Sequence, residues 1–455
     1  MIPTSDQVSA AVTGLTGGRT LLVERQARWR PTWFVDVERD GETLSLVLRG
    51  DRFDTEAFPL RHEYTFHRLM EEREFPVPHL YGYIDNVAGL DCVLMERVPG
   101  QPHFNGTSDA DRDVIVDEYV QQLARLHQTD PTAFIEAGIT HPGPGEDAAM
   151  IGHGNMEQRY RDKKRDPDAF AEFAIGWMRR HLPSASGRLS PVVWDSGQFH
   201  HHNGHLVAVL DLEFGHVGDP MTDITVWRMR DTLIPFGDMG KIYSRYEELT
   251  GAPVDLEAIK RHHFAAAIGN YLMFTDAVRY PPPDTDIMTY MQWDSETNLM
   301  ATDFLGEYLG LDLPSVEVPE SQPTRDDATF AHLVRSLGSV SASDPDVQHQ
   351  LRLAFRAARH LQRRNQIGEA LDRADIDDVH QLLGRRPADW FEAERELERF
   401  VVADADTGRY DAELTVLFHK RNLRVHMALG PAGSTMTRHY QCQRFDGGPT
   451  GIVQL

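Results

Sequence analysis

The sequence predicts an α+β chain: a small β-rich N-terminal part, a mainly helical part after it, and an additional mostly helical region at the C-terminal end. Three observations carry this. Between Thr20 and Val98 the pattern is strand-rich with one helix, and Asp40-Gly41 marks a hairpin. From Asp109 onward apolar residues recur at helical spacing. Between them in kind, Asn203-Gly204 is the strongest short hairpin signal a chain can carry, because a two-residue type I′ turn needs positive φ at both central positions.

Taken in order, Trp33–Val37 and Thr43–Arg49 read as two half-buried strands joined by Asp40-Gly41. Arg49 ends the apolar run Leu46-Val47-Leu48; a solvent-facing arginine on an edge strand is the plainer reading of it. Tyr64, Phe66, Leu69 and Met70 give Leu60–Glu72 a helical period, with Glu63 on it. Pro76-Val77-Pro78 leads to Tyr81-Gly82-Tyr83, and Cys92–Glu96 is a short buried strand that Pro99-Gly100 breaks. Asp109–His127 is an amphipathic helix carrying Ile115, Tyr119, Leu123 and Leu126 on one side, followed by a proline- and glycine-rich loop at 141–145. Phe170–Leu182 is a further helix.

The stretch from Val192 to Asp223 holds the chemistry. With a two-residue turn, opposed positions sum to a constant, so His202 faces His205, Phe199 faces Ala208 and Ser196 faces Asp211. Directly opposed side chains sit about 4.5–5.5 Å apart at Cβ. Asp195, Ser196 and Gln198 therefore gather around Asp211, which follows the apolar strand 206–210, with Glu213 two residues on. That is a donor set for a divalent cation in phosphoryl transfer. Asp after a strand is also a common turn or helix cap. His200-His201-His202 invites a metal, yet neighbouring strand residues point to opposite faces and cannot chelate together.

Leu210-Asp211-Leu212-Glu213, followed by Gly218-Asp219-Pro220 and Asp223, resembles the metal-binding segment of the aminoglycoside phosphotransferase and choline kinase family of protein-kinase-like small-molecule kinases. The resemblance covers about 17–311. It implies a two-lobed fold: an ATP-binding lobe over 1–98, a helical lobe over 99–314, a linker at 315–328 and a helical accessory domain over 329–455. By it, Asp211 holds the Mg2+ that bridges the ATP phosphates, assisted by Gln198 in the family's Asn position, while Asp219 and Asp223 brace the lobe. Arg49 stands where the phosphate-contacting lysine sits, Glu63 resembles the glutamate that orients it, and Glu96 and Val98 lie where hinge backbone meets adenine. The glycine-rich phosphate loop is replaced by Ala27-Arg28-Trp29-Arg30-Pro31-Thr32, whose arginines offer side chains instead of amides. Counting back along the family's His-Gly-Asp-x4-Asn puts Val193 in the catalytic position. Two readings stay open: a loop shorter by two residues, with Asp195 as base, or a missing base and a nucleotide-binding pseudokinase.

After Asp223 the chain is helical over 255–277 and 288–309, separated by Pro281-Pro282-Pro283. The resemblance assigns the acceptor site to these helices, with Glu213, Asp276 and Tyr290 as candidates. The polar segment 315–327 reads as a boundary, and Ser343-Asp344-Pro345 starts a helix whose Leu351, Phe355, Ala358 and Leu361 share a face. Arg352, Arg356, Arg359 and Arg363 line another face, which suits first a solvated surface laced with salt bridges, and otherwise an acidic partner, a neighbouring lobe or a coenzyme phosphate.

Among 455 residues, 41% hydrophobic and 25% charged, a formal net charge of −24 disfavours nucleic acid and anionic membranes. No apolar run reaches the roughly 20 residues of a membrane span, the N-terminus lacks a signal pattern, and two cysteines make no disulfide framework. The expectation is a cytoplasmic kinase that uses ATP and Mg2+ on a hydroxyl of a small metabolite or antibiotic, with a Val-Leu-Arg strand that tilts toward hydroxyacyl-CoA. A homodimer or protein partner through the C-terminal helices is a further expectation. The alternatives are a pseudokinase-like regulator and an interaction protein that binds no nucleotide.

Overall fold

The computed structural model describes residues 2–28, 30–51, 58–182, 188–282, 285–429, 438–445 and 451–454. Trp29 and Pro283, both named above, lie outside the described residues. Close packing divides the chain into two units. The first comprises Met1–Asn155, Ser184–Ile259 and Cys442–Pro449, and the second Met156–Pro183, Lys260–Gln441 and Thr450–Leu455.

The first unit begins with helix α1 (Ser5–Thr16), which the sequence reading did not expect. Thr4 caps it in a reciprocal pair with Gln7, and Gly17 ends it at φ 69°. An antiparallel sheet follows in the order β1-β2-β3-β5-β4, from β1 (Arg19–Arg25), β2 (Thr32–Arg39), β3 (Glu42–Gly50), β4 (Leu80–Val87) and β5 (Leu90–Glu96). Asp40 and Gly41 both take positive φ, 56° and 86°, so the expected tight hairpin joins β2 to β3. Val8 and Val12 of α1 pack with Trp33, Val35, Leu48 and Leu94 in one apolar core. Helix α2 (Leu60–Glu71) belongs to a second core.

That second core unites α2 with α3 (Asp109–Gln128), the short α4 (Thr132–Glu136), α7 (Met221–Arg230) and α8 (Met239–Thr250) through Phe66, Leu123, Phe134, Trp227 and Tyr246. Threaded through it are two small ribbons. β6 (Ser190–Val192) pairs with β9 (His216–Gly218), and β7 (Phe199–His202) pairs with β8 (His205–Val209). Asn203 and Gly204 have φ 51° and 80°, as the turn requires, and His202 opposes His205. Farther along, the register slips between His200 and His201, so Phe199 faces Val209 rather than Ala208. The extra residue of a bulge moves every later partner by one, and Ser196 does not oppose Asp211.

Helix α5 (Ile151–Lys163) runs from the first unit into the second. The second unit holds α6 (Ala169–His181), most of α9 (Leu256–Arg279), and α10 (Ile287–Leu309), α11 (Asp327–Ser339), α12 (Pro345–Leu383), α13 (Trp390–Asp404) and α14 (Asp411–Leu429). A short ribbon of β10 (Arg438–Gln441) and β11 (Gly451–Gln454) completes it. Asp344 caps α12 and Pro345 opens it, as the sequence predicts. Met288 of α10 packs against Leu429 of α14, with Ala357 of α12 beside them. The compact units therefore cross the boundary drawn at 315–328, because α10 and the C-terminal helices bury their apolar faces together. The arginine row of α12 is not uniformly open, since Arg356 donates to Gln292 of α10 at 2.8 Å.

Candidate active site

Asp211 follows β8 in the left-handed region, φ 59° and ψ 56°. Aspartate tolerates that conformation better than most residues, and such strain gathers where side-chain placement matters. Its two carboxylate oxygens have different partners: Oδ1 accepts from Arg49 Nη2 at 2.7 Å, and Oδ2 accepts from Gln198 Nε2 at 2.7 Å. The same Gln198 nitrogen donates to Asp195 Oδ2 at 2.6 Å. One amide thus bridges the two acids.

Asp195 sits on a loop that the helical core holds from behind. Asp223, fully buried, accepts the backbone N–H of Val193 at 3.0 Å and of Trp194 at 2.6 Å. The hydroxyl of Ser196 donates to the carbonyl of Asp223, and the N–H of Gly197 donates to the Tyr119 hydroxyl at 2.6 Å. His127, the single histidine of α3, lies 3.0 Å from Asp223 Oδ2 and 2.7 Å from the Tyr246 hydroxyl, locking that aspartate in turn. Gly197 has φ 83°, and a Cβ there would stand 3.0 Å from Arg230 Cγ. Val193, the alternative catalytic position, is an apolar side chain buried in the core. The side chain of Asp195 is 23% exposed and forms an ion pair with Arg230 at the end of α7. Burial raises the pKa of Asp195, Arg230 opposes that, and the nearby Asp211 charge reinforces it.

The β-rich part contributes a closed network. Arg49 donates to Glu63 Oε1 at 2.6 Å as well as to Asp211, and approaches Glu213 at 3.4 Å. Arg30 donates to Glu63 Oε2 at 2.8 Å, to Glu213 at 2.5 Å and to the Gly50 carbonyl at 2.9 Å. Only 2% of its side chain is exposed, so Arg30 is an internal strut and not the solvent-facing phosphate ligand its loop position suggested. Burial works against the charge on Arg49, but Glu63 and then Asp211 outweigh it and hold the pKa above its usual value. For Glu63 burial is likewise overcome, by Arg30 and Arg49, and its pKa is lowered.

Glu96 and Val98 lie at the end of β5 and just beyond it. The N–H of Glu96 is taken by the His79 carbonyl at 2.8 Å, and the N–H of Arg97 by the Ser45 carbonyl at 2.9 Å. Among the described residues no partner takes the N–H of Val98. The segment then bridges to β7, Gln101 and His201 exchanging two 3.1 Å bonds. Gly100 is required there: at φ +91°, a Cβ would lie 2.0 Å from the His201 carbonyl oxygen.

For a divalent cation the site offers the Asp211 carboxylate, 26% exposed, while Gln198 turns its Nε2 and not its carbonyl oxygen toward it. Among the described residues no cluster of three or more His, Cys, Asp or Glu forms a cage. A single carboxylate suits Mg2+, which takes few protein ligands beside phosphates and water. His200 and His201 turn instead to the backbone carbonyls of Pro99, at 3.3 Å, and His103, at 2.9 Å. In the second unit, Asp276 pairs with Arg159 at 3.1 Å, and Tyr290 is buried, stacked on Phe274 with centroids 4.8 Å apart.

Sequence reading missed one charged residue of the site and misplaced another. Arg230 lies 35 positions from Asp195 on another element and carries no local signal. Arg30 was visible, but its burial beside Glu63 and Glu213 was not.

Residues 24–239 match the profile of a family described as "Phosphotransferase enzyme family". Together with the β-rich and helical parts above, that match gives a protein-kinase-like fold. Curated relatives include acyl-CoA dehydrogenase family member 11 of Rattus norvegicus, 24% identical over 253 residues, or 53% of this chain and 32% of that protein. Acyl-CoA dehydrogenase family member 10 of Mus musculus is 25% identical over 224 residues, 47% of this chain and 20% of that protein. The chain thus spans about a third and a fifth of these relatives' lengths. Similar solved structures include macrolide 2′-phosphotransferase MphH from Brachybacterium faecium, with 16% identity, 62% and 99% of the two chains covered and a TM-score of 0.41. Another is the ethanolamine kinase of Plasmodium vivax, with 11% identity, 60% and 82% covered and a TM-score of 0.43. Among the described residues no helix is long and apolar enough to cross a membrane.

Proposed function

We propose that this chain, whose residues 24–239 belong to the phosphotransferase enzyme family, moves the γ-phosphate of ATP to a hydroxyl group of a small molecule. The observation that carries the proposal is the single Gln198 amide spanning Asp195 and Asp211. It sets a candidate base beside a candidate cation ligand, the two charges that in-line transfer needs. Asp195 accepts the proton of the acceptor hydroxyl as its oxygen bonds to the γ-phosphorus. The bond to the β–γ bridging oxygen breaks, and ADP leaves.

Arg49, oriented by Glu63, neutralises phosphate charge, and the Val98 N–H is offered to the adenine edge. Asp211 would hold Mg2+ through its carboxylate, with Gln198 beside it, and the ion would supply charge neutralisation on the transferred group.

For the acceptor we favour a hydroxyacyl-CoA thioester. The Val47-Leu48-Arg49 strand end and the relatives named as acyl-CoA dehydrogenase family members support it. The test is ADP release from Mg–ATP with a panel of hydroxyacyl-CoAs, aminoglycosides, macrolides and amino alcohols. Turnover with a hydroxyacyl-CoA alone supports the full reading. Turnover with another class replaces the acceptor, and none with any acceptor contradicts transfer.

A second reading is a nucleotide-binding regulator without turnover. It is favoured by the ion pairs that occupy both acids, Asp195 with Arg230 and Asp211 with Arg49. ATP binding without ADP release across the panel would establish it.

A further inference from the structure

The second unit contains a partly open cavity of ≈ 220 Å3 lined by α6, α9, α10, α13 and α14. Its wall carries three carboxyl groups, Asp168, Asp294 and Glu394, against two guanidiniums, Arg279 and Arg421. Asp168 is answered by Arg279 at 3.0 Å and by the Tyr271 hydroxyl, and Glu394 by Arg421 at 2.5 Å. Asp294 has no such answer. It is 7% exposed and its Oδ1 has no hydrogen-bond partner. One helical turn on, Asn298 is also 7% exposed, and its Oδ1 is unpartnered too. Residues four apart share a helix face, so two orphaned acceptors meet the cavity from α10. A buried acceptor without a donor destabilises the fold, and a surplus carboxyl group does so more unless it stays protonated.

We propose that this cavity binds a small organic cation, a primary ammonium on a short alkyl chain, whose N–H groups meet Asp294 and Asn298 while its chain lies along Phe170, Met291 and Trp390. A cation balances the third carboxyl group, and its several donors satisfy both orphaned oxygens, which neither an anion nor an apolar ligand does. The aromatic wall adds a face that attracts an ammonium group. At about 30 Å3 for each liquid water, the volume holds roughly seven heavy atoms. The state of Asp294 agrees with this. Burial, and then the charge of Asp168, push its carboxyl well above the usual range, and Arg279 only partly opposes them. The other ionisable groups on the wall, Tyr271 on α9, Glu394 on α13 and Arg421 on α14, supply no hydrogen bond to its Oδ1. The inference does not rest on the transfer reaction: α13 and α14 lie beyond residues 24–239, and the readout is binding.

The test is calorimetric titration of the full chain with n-butylammonium, butan-1-ol and butyrate. The proposal expects the ammonium to bind and the neutral and anionic analogues to bind about tenfold or more weakly, as a charge-assisted contact implies. Asp294→Asn should lower ammonium affinity by about tenfold or more while the ligand-free melting temperature does not fall. Should that variant fail to fold, Asn298→Ala takes its place and is expected to weaken the ammonium selectively. Absence of ammonium binding, equal binding of the three probes, or unchanged affinity in the variant that folds would each overturn the proposal.

Discussion

Two buried clusters of charge in this chain are built in opposite ways. Around Asp211, the guanidiniums of Arg30 and Arg49 are shared among Glu63, Asp211 and Glu213 at 2.5–3.4 Å. Around Asp294, a carboxyl and an amide oxygen face a cavity without a hydrogen-bond partner for either, while Arg421 on the same wall keeps its Nε and Nη2 without hydrogen-bond partners. The closed cluster holds its members in fixed places, and removing one leaves others buried and uncompensated. The open one costs stability until something enters. Burial and charge are common to both, so the difference lies in whether each acceptor has a donor.

The comparison is broken most sharply at Asp195, whose tie to the closed cluster is the Gln198 amide. Asp195→Asn should lower kcat about 10²- to 10⁴-fold, the usual effect of losing a general base, with ATP affinity unchanged in an equilibrium titration. Next, Glu63→Gln leaves Arg30 short of an anion in a site where the Glu63 side chain is only 6% exposed. Chemical denaturation should show a loss of about 3–5 kcal/mol. That loss has a pH signature. Because the folded pKa of Glu63 is lowered, its contribution is complete above the ordinary carboxylate range and disappears as pH falls through the folded value. The gap between wild type and Glu63→Gln should therefore close in acid. A smaller effect is expected at the bridge to β7: Gly100→Ala puts a Cβ against the His201 carbonyl at positive φ, costing about 1–3 kcal/mol in thermal melts.

The subtlest change is Arg230→Met. Arg230 holds the pKa of Asp195 down against burial, so its removal should move the acid limb of kcat/KM to higher pH. An unchanged limb would separate Asp195 from the titrating base.

Local signals in the sequence sufficed for the hairpins and helix starts. Asp40-Gly41, Asn203-Gly204 and Asp344-Pro345 each act through backbone geometry within four residues, and all three turns or caps formed as read. The spacing of Asp195, Gln198 and Asp211 pointed to one cluster, yet the pairing beyond His200 was one residue out. A bulge depends on how the strands meet the core, which the turn does not encode. The same limit hid Arg230 and the burial of Arg30, whose partners are distant in sequence. It also hid the packing of α10 against α14, which joins segments a boundary-like loop had separated. Helix α1 was missed because its capping pair, Thr4 and Gln7, was not weighed.

The central claim is that Asp195 takes the proton while Asp211 holds the cation. Single-turnover transfer from γ-labelled ATP, measured with Mg2+-dependent ATP binding in Asp195→Asn and Asp211→Asn, tests it directly. The account predicts that Asp195→Asn binds Mg–ATP like the wild type and fails to transfer, while Asp211→Asn loses the Mg2+ dependence of binding. Transfer at the wild-type rate by Asp195→Asn, or Mg2+-dependent binding untouched in Asp211→Asn, would contradict it.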